Sequence, residues 1–312
     1  MALPAIDVVG LGLNAIDTVC IAPRFPRPNA RTKLSDVRTE PGGMVATALT
    51  TCARLGLNAR YIGSVGTDDW GRAQLASLHA EHLDVQFVRT VEGASSQMAV
   101  ILLEDGIGER TVLWHRDPKL MYPVADLRRE MIVDAKVLHL DGCDSAAALQ
   151  ASLWAREEGM HVVIDIDQIY DETTEDLLRS VDYLIAAESF AESTLGITDA
   201  NEAIHALASK YECPITGITL GPRGAIFNVK GRVLRSSSFN VPVTDTTGAG
   251  DVFRGAFIYG LLQKWDLEDI IRFAHATAAM KCMQIGARRG IPTISQVRSF
   301  LEANRLNLRD AF

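Results

Sequence analysis

The stretch Asp245-Thr246-Thr247-Gly248-Ala249-Gly250-Asp251 decides how this chain of 312 residues is interpreted. Its small residues, Gly248-Ala249-Gly250, allow backbone N–H groups to crowd around an anion. Apolar residues recur at helical spacing over 251–262, so the turn is expected to open a helix, whose N-terminus attracts negative charge. Asp251 then lies in the first helical turn, where it either accepts a proton from an attacking hydroxyl or only caps the helix. The stretch therefore predicts a phosphate-handling turn with a candidate general base at its edge.

Composition and charge limit the class of protein. Hydrophobic residues make up 47% of the chain and charged residues 22%, so the chain can bury a sizeable core. A length of 312 residues allows one large α/β domain or two smaller ones. The formal net charge of -8, without a long basic run, argues against a nucleic acid or an acidic membrane as partner. The five cysteines are widely spaced, without a Cys-x-x-Cys pair, which is typical of a reducing compartment and argues against structural zinc. With no leader pattern and no membrane-spanning apolar run, we expect a cytoplasmic location.

Short β-type runs alternate with helical stretches along most of the sequence. A strand is predicted at 60–65, and buried-type strands are predicted at 137–141, 162–166 and 183–186, with helices between them. Such alternation is typical of βαβ units and predicts a mostly parallel sheet covered by helices on both faces. A late hairpin is predicted from 225–229 and 232–235.

Two segments interrupt this alternation. Residues 14–41 contain four prolines and no clear helix, and residues 95–116 contain two strand runs around the turn Glu104-Asp105-Gly106-Ile107-Gly108. We interpret both as insertions that form a small β lid. The catalytic domain is then expected to comprise residues 1–13, 42–94 and 117–312.

Four motifs follow one another in the order found in the PfkB/ribokinase family of carbohydrate kinases, which this chain resembles. They are Gly42-Gly43 with a helix ending at Ala53-Arg54-Leu55-Gly56, the turn Gly63-Ser64-Val65-Gly66-Thr67-Asp68-Asp69-Trp70-Gly71, the element Thr219-Leu220-Gly221-Pro222-Arg223-Gly224, and the stretch 245–251. The resemblance implies a ribokinase-like three-layer α/β/α sandwich with a mostly parallel central sheet and a small β lid. It also implies transfer of the γ-phosphoryl group of ATP, with Mg²⁺, to a hydroxyl of a sugar-like substrate, which we expect to be a primary one.

The same resemblance assigns roles in catalysis and substrate binding. Asp251 would be the catalytic base, and Gly248, Ala249 and Gly250 would form the anion hole. Substrate-binding residues would be Asn14, Asp17, Gly42, Gly43 and Thr47.

Nucleotide and cation sites follow from the resemblance as well. The ATP-binding residues would be Thr219, Gly221, Gly224 and His275, the last against the adenine. A monovalent cation, K⁺, would be bound by Asp245 together with backbone carbonyls near Thr247, Lys281, Gly286 and Gly290.

The sequence departs from the family pattern at two places. Thr47 stands where the family often has Asn, and Ala187-Glu188-Ser189-Phe190 replaces the usual Asn-x-x-Glu element, leaving Glu188 as a candidate Mg²⁺ ligand. These departures resemble the sulfofructose-kinase-like branch of the family. They leave the sugar unidentified.

Other interpretations stay open at this point. A nucleoside kinase of the same fold would use aromatic residues near the lid, for which Phe25, Trp114 and Tyr122 are candidates. A non-catalytic sugar sensor is suggested by the missing Asn-x-x-Glu element. The pair Gly10-Leu11-Gly12 lacks the third glycine of a dinucleotide fingerprint, which argues against a dehydrogenase.

Charged residues near the lid and the C-terminus also have two interpretations. His115 and Arg116 either reach an anionic substrate group or form a solvated pair. Arg288 and Arg289 either contact nucleotide phosphates or are solvated. In the family that the chain resembles, lids of this kind often pair edge to edge, so a homodimer through the lid is expected.

Overall fold

The computed structural model describes residues 5–108 and 110–304. Within these residues the strands are β1 (Val8–Leu11), β2 (Ala15–Ala22), β3 (Asp36–Gly42), β4 (Ala59–Ile62), β5 (Ser64–Gly66), β6 (Arg89–Val91), β7 (Met98–Glu104), β8 (Arg110–His115), β9 (Val137–Leu140), β10 (His161–Ile166), β11 (Tyr183–Ala187), β12 (Ile215–Thr219), β13 (Ala225–Val229) and β14 (Arg232–Ser236). The α-helices of the same residues are α1 (Met44–Arg54), α2 (Asp69–Ala80), α3 (Ser145–Glu157), α4 (Glu172–Arg179), α5 (Glu188–Leu195), α6 (Ala200–Tyr211), α7 (Ala249–Leu262), α8 (Leu267–Lys281) and α9 (Ile294–Ala303).

The central sheet has eight strands in the order β14-β13-β12-β11-β10-β9-β1-β4. Strands β4, β1, β9, β10, β11 and β12 run parallel to one another, and β13 and β14 extend the sheet as an antiparallel hairpin. Every residue of β1, β4 and β9 is buried, as expected for parallel strands covered on both faces. The predicted α/β class with a mostly parallel central sheet is confirmed.

Two hydrophobic clusters cover the two faces of this sheet. Val137 and Leu138, which are neighbours on β9, belong to different clusters because successive side chains of a strand point to opposite faces. One cluster contains residues of α3, α4, α5 and α6. The other contains residues of α1, α2, α7, α8 and α9. The result is a three-layer α/β/α sandwich.

A second sheet, here called the lid sheet, has the strand order β3-β2-β7-β8. Its strands come from the two segments that interrupt the βαβ alternation. Strand β2 pairs antiparallel with β3 and parallel with β7, and β7 and β8 form the expected hairpin. Val19, Ile21, Ile101 and Leu103 form a small core of their own, whereas β8 is exposed along its length.

One predicted strand is divided in two. The sequence predicts a single strand over 60–65, but β4 ends at Ile62 and β5 begins at Ser64 and pairs with β6 in a separate two-stranded sheet. Gly63 lies at the break, where a side chain would clash with the Tyr61 hydroxyl and lie 2.9 Å from the Gly12 carbonyl oxygen. In the described part of the chain, no helix is long and apolar enough to cross a membrane.

The substitution Gly255→Ala tests how closely α7 packs against α1. A methyl group at this position would clash with the Ala48 carbonyl oxygen and lie 2.6 Å from Cβ of Thr51. Helix propensity alone predicts that Gly255→Ala stabilises the protein by about 1 kcal/mol. We expect the opposite, a loss of about 1–3 kcal/mol in the free energy of unfolding, because over-packing strains both helices. Urea denaturation measures the difference.

The control is Gln263→Ala at the exposed C-terminal end of the same helix. It should change the free energy of unfolding by less than about 0.5 kcal/mol. A Gly255→Ala protein more stable than the wild type would contradict the close helix contact.

Candidate active site

A cavity of about 410 Å³ lies between the lid sheet and the edge of the central sheet at which the parallel strands end. Its walls come from three regions: the lid sheet, with Asp17 and Trp114; the strand ends, with Asp165 and Ala187; and the turn Thr247–Asp251. Ligands of open α/β sheets bind at the carboxyl ends of the strands, and the volume suits a small molecule. The turn Thr247–Asp251 thus forms one wall of the main candidate site.

Gly248 shapes this turn. Its φ of 76° is in the left-handed region, and a side chain here would place Cβ 2.8 Å from Cβ of Ala287. Helix α7 follows directly from Ala249, two residues earlier than the pattern of apolar residues indicates. The backbone N–H groups at its N-terminus therefore lie beside the cavity, where they and the helix dipole favour an anion.

Asp251 lies in the first turn of α7, half-buried in the cavity wall, beside the buried carboxylate of Asp165. Burial raises the pKa of both carboxyl groups and Arg254 opposes the shift; the charge of Asp251 raises the pKa of Asp165 further. Arg254 is fixed by an ion pair to Asp165 at 3.0 Å and by a hydrogen bond of 2.8 Å that it donates to the Ile185 carbonyl oxygen. Asp251 is therefore a carboxylate with increased proton affinity, which suits a general base.

Asp17 faces the cavity from β2 and is only 5% exposed. Its carboxylate packs directly on the backbone of Gly42, where any side chain would clash with it. Burial raises the pKa of Asp17 to about 7, an effect that Arg288 opposes and that Asp245 and Glu40 reinforce. Gly43, also in the cavity wall, has a φ of 89° and lies so close to Asn14 that a side chain would not fit. One wall of the cavity therefore presents the Asp17 carboxylate and the backbone of Gly43, which has no side chain to cover it.

Arg288 is buried behind this wall rather than solvated. It donates hydrogen bonds to Oδ1 of Asn14 at 2.8 Å, to Oγ1 of Thr47 at 3.3 Å and to the Gly42 carbonyl oxygen. Neither Asn14 nor Thr47 lines the cavity, because both face Arg288. The interpretation of Arg288 as a solvated residue is wrong; the guanidinium joins the segments that carry the predicted substrate contacts. Arg289 is exposed and pairs with Glu40 at 2.9 Å.

The predicted nucleotide residues lie at the neighbouring strand ends. Thr219 ends β12 and pairs in register with Ala187, which lines the cavity. Gly221 and Gly224 form the tight turn that follows, and a side chain at Gly224 would clash with the Ser236 carbonyl oxygen.

Two predicted residues have other surroundings. His275 is buried on α8, with its ring edge-on to Phe253 at 5.0 Å between centroids, and does not line the cavity. Glu188, the candidate Mg²⁺ ligand, accepts hydrogen bonds from Arg223, one of them at 2.5 Å.

Asp245 connects the turn to the segment that follows α8. Its Oδ1 accepts a hydrogen bond from the Thr247 N–H and its Oδ2 one from the Gly286 N–H, both at 2.8 Å. The Asp245 carbonyl oxygen accepts a hydrogen bond of 2.9 Å from Nζ of Lys281. Gly290 packs against the Lys281 carbonyl oxygen, from which a Cβ would be only 2.5 Å away. The residues predicted to bind a monovalent cation are therefore close together.

Several site residues escape the sequence reasoning. Asp141, fully buried, accepts hydrogen bonds from the Leu13 N–H at 2.6 Å and the Cys143 N–H at 3.0 Å, and so orders the connection after β1. The available signal is its position as the last residue of a predicted strand; Asp167 directly follows the next predicted strand. Arg116 lines the cavity and is paired with the buried Asp144 at 2.9 Å, so it is not part of a solvated pair with His115.

The lid sheet touches the turn directly. Nη1 of Arg110 donates a hydrogen bond of 2.6 Å to Oγ1 of Thr246, which in turn donates one of 3.3 Å to the Gly108 carbonyl oxygen. Arg110 also lowers the pKa of Asp251, second to Arg254 among the charges that do so.

Comparisons with known proteins agree with this geometry. A family model described as pfkB family carbohydrate kinase matches residues 5–294. A ribokinase from Haemophilus influenzae is 28% identical over 301 residues, covering 94% of this chain and 97% of the relative. An ATP-dependent 6-phosphofructokinase from Thermoanaerobacterium thermosaccharolyticum is 25% identical over 287 residues, covering 85% and 86%. The structure of an Arabidopsis thaliana ribokinase complexed with ribose and ATP superposes with a TM-score of 0.82 at 22% identity, covering 96% of this chain and 99% of that one. The ribokinase-like fold is thereby confirmed.

Arg288 provides a test of the site's support. Replacement by Met removes the donor for Asn14 and Gly42 and the positive charge beside Asp17, so we expect the free energy of unfolding to fall by about 3–5 kcal/mol. Urea denaturation measures the loss. The control is Arg72→Met, whose side chain is 66% exposed and should contribute less than about 1 kcal/mol. Equal stability of the two variants would contradict the anchoring role.

Proposed function

This chain belongs to the pfkB family of carbohydrate kinases, and we propose that it transfers the γ-phosphoryl group of ATP to a primary hydroxyl of a sugar or sugar derivative. As a member of the family it is a phosphotransferase that acts on an alcohol group. One observation carries the finer proposal: Asp251 and the N-terminus of α7 face a cavity whose opposite wall is the lid sheet. The candidate base Asp251, the anion-binding N-terminus of α7 and the lid sheet thus line the same cavity.

In this proposal Asp251 removes the proton of the acceptor hydroxyl as the phosphoryl group arrives. The transferring group carries negative charge, and the N–H groups of Gly248, Ala249 and Gly250 stabilise it at the start of α7. Phosphoryl transfer depends mostly on positioning and charge stabilisation, which this turn supplies without side-chain movement. The raised pKa of Asp251 strengthens it as a proton acceptor.

The sugar is proposed to bind between Asp17 and the lid sheet. Asp17 accepts hydrogen bonds from its hydroxyls, and Gly43 lets the backbone approach the ring. Gln97 adds an amide to the same wall, and Trp114 offers an apolar face from β8. Gly42, Asn14 and Thr47 support this wall from behind through Arg288. A closed lid keeps water from the phosphoryl group.

ATP is proposed to lie along Thr219, Gly221 and Gly224, beside Ala187 in the cavity wall. The neighbouring Arabidopsis ribokinase was crystallised with ATP and ribose, which supports the nucleotide. His275 stays a candidate for the adenine side; its Nε2 has no hydrogen-bond partner among the described residues.

Mg²⁺ is proposed to accompany the nucleotide, where it would neutralise phosphate charge. Among the described residues there is no cluster of three or more His, Cys, Asp or Glu that could hold a metal ion. That suits Mg²⁺, which usually takes one or two carboxylates and completes its shell with phosphates and water. Asp165 and Asp167 line the cavity, whereas Glu188 would have to release Arg223 to act as a ligand.

A nucleoside acceptor is the second candidate. The observation that favours it is the pair of aromatic side chains, Trp114 and Tyr170, in the cavity wall, where they offer faces for stacking a base. The other two aromatic candidates give it no support, because neither Phe25 nor Tyr122 lines the cavity.

Coupled assays of ADP formation over a panel of sugars, sugar phosphates and nucleosides test the function. With the best substrate, Asp251→Asn should lower kcat by about 10²–10⁴, the usual contribution of a general base. Binding of a non-hydrolysable ATP analogue, measured by calorimetry, should be retained. Because Asp251 acts unprotonated and its pKa lies above the ordinary value of 3.8, wild-type activity should fall on the acid side as the pH passes this raised pKa.

A matched carboxylate variant separates binding from chemistry. Asp17→Asn should raise KM for the sugar about tenfold to a hundredfold, the loss of one or two hydrogen bonds to a charged group, with a smaller effect on kcat. Full activity of Asp251→Asn would refute its role as base. A thermal shift with sugars but no ADP would favour the sensor interpretation.

The proposed assembly is a homodimer through the lid sheet. Strand β8 is an edge strand, and Val112, Leu113 and Trp114 on it are 44–58% exposed. Light scattering should give twice the monomer mass, and Leu113→Lys should shift the mass towards the monomer; a wild-type monomer at assay concentration would contradict the proposal.

We also propose a cytoplasmic location, which the absence of disulfides among the five cysteines supports.

A further inference from the structure

Lys281 is a fully buried lysine whose charged end contacts the first residue of the stretch 245–251, which carries the proposed anion hole. It is the last residue of α8, and its side chain is inaccessible to solvent. Nζ donates a hydrogen bond of 2.9 Å to the backbone carbonyl of Asp245, the residue that begins the stretch 245–251. A buried ammonium group costs several kcal/mol unless it is paired, so its position calls for a compensating interaction.

The surrounding charges supply that compensation. Burial lowers the pKa of the Lys281 ammonium group, and the carboxylate of Asp245 opposes this shift most strongly. Cys282 and Asp251 act in the same direction as Asp245, whereas Arg110 acts against it. The C-terminal end of α8 adds the negative end of a helix dipole, which favours a cation at this place.

This arrangement does not fit a bound K⁺ ion. A cation at the predicted site would be bound by Asp245 and by backbone carbonyls near Thr247, Lys281, Gly286 and Gly290, and would place a second positive charge beside the buried ammonium group that already contacts Asp245. The Asp245 carbonyl already accepts the Lys281 ammonium, and the two carboxylate oxygens of Asp245 accept the N–H groups of Thr247 and Gly286. The Lys281 carbonyl oxygen, a further predicted ligand, accepts the Gln284 N–H at 3.1 Å. Two of the predicted ligands, Asp245 and the Lys281 carbonyl, are therefore engaged by the chain's own donors, and the donor to the Asp245 carbonyl carries a positive charge of its own.

We propose that the ammonium group of Lys281 takes the place of the monovalent cation, so that this kinase needs no K⁺ to hold its anion-binding turn. The proposal rests on the proposed kinase function and replaces the K⁺ dependence expected from the family resemblance. An ammonium group is a compact point charge with three N–H donors and can therefore stand in for a small monovalent ion. Lys281 is a positioning residue: it contacts Asp245, and Asp245 holds the turn.

The electrostatic consequence concerns the phosphoryl group. A positive charge fixed behind the turn attracts the negative charge that arrives at the N–H groups of Gly248, Ala249 and Gly250. A dissociable K⁺ ion would supply this charge only when bound. A lysine supplies it without binding an ion, because it is part of α8.

The first experiment uses the wild-type protein and does not depend on activity. Crystals soaked in thallium(I) acetate, a K⁺ substitute with strong anomalous scattering, should show no anomalous peak in contact with Asp245 or with the backbone carbonyls of Thr247, Lys281, Gly286 and Gly290. A peak there would overturn the proposal, whether or not the protein proves to be a sugar kinase. If the thallium position is empty but no sugar or nucleoside is phosphorylated, the function fails and the occupancy of the site by Lys281 stands.

The second experiment measures cation dependence. Wild-type kcat and KM should stay unchanged when KCl replaces tetramethylammonium chloride at constant ionic strength. Lys281→Ala, which leaves space beside the Asp245 carbonyl, should lose about tenfold to a hundredfold in kcat without K⁺, somewhat less than the loss of a direct oxyanion donor. K⁺ or NH₄⁺ should restore part of that activity. Activation of the wild type by K⁺ would overturn the proposal.

Two further variants serve as controls. Lys281→Met removes the charge but fills the space, so its loss should not be restored by K⁺; restoration would point to an ordinary salt effect and overturn the proposal. The second control is Lys210→Met. Lys210 lies on α6 and pairs with Glu175 at 2.9 Å, and the variant should behave as the wild type in both salts. Circular dichroism and thermal unfolding identify any variant that fails to fold, in which case the thallium experiment and the wild-type salt comparison decide alone.

Discussion

The carboxylate of Asp245 holds together two segments that lie 41 residues apart in the sequence. One of its oxygens fixes the Thr247 N–H within the turn, and the other fixes the Gly286 N–H after α8. Gly248 then packs on Ala287, so hydrogen bonding and steric contact favour the same turn geometry. Helix α7, its free N–H groups and Asp251 all take their position from this turn. An unpaired carboxylate at this buried place would be costly, which is why both oxygens need their partners.

The sequence predicts most of the fold because its signals are local. Strands β9, β10 and β11 are short apolar runs between helical stretches, and this alternation alone implies a parallel sheet. The predicted strand over 60–65 fails at Gly63 for a reason outside the local pattern. The backbone there has to pass the Tyr61 hydroxyl and the Gly12 carbonyl, a contact between segments that neither segment reveals.

In the candidate site too, residues within one continuous stretch can be predicted from the sequence, and residues placed by long-range contacts cannot. Asp251 and the glycines of its turn are predictable, since base and anion hole belong to one continuous stretch. Arg288 is not, because its hydrogen-bond partners Asn14 and Thr47 are 274 and 241 residues away. Lys281 is a third case. The family resemblance places this residue at the cation site, but through its backbone carbonyl oxygen and not through its side chain. A residue type alone does not tell whether backbone or side chain faces a site, and only the packing of α8 against the turn decides it.

The contact between the lid sheet and the turn brings a charge of the lid sheet close to Asp251. Arg110 belongs to β8, bonds to Thr246 and lowers the pKa of Asp251, against the larger effect of burial, which raises it. A displacement of β8 would weaken both effects at once, because the guanidinium would move away and water would reach the carboxylate. The two changes act on the pKa in opposite directions, so the position of β8 has a smaller net influence on the proton affinity of Asp251 than either effect alone.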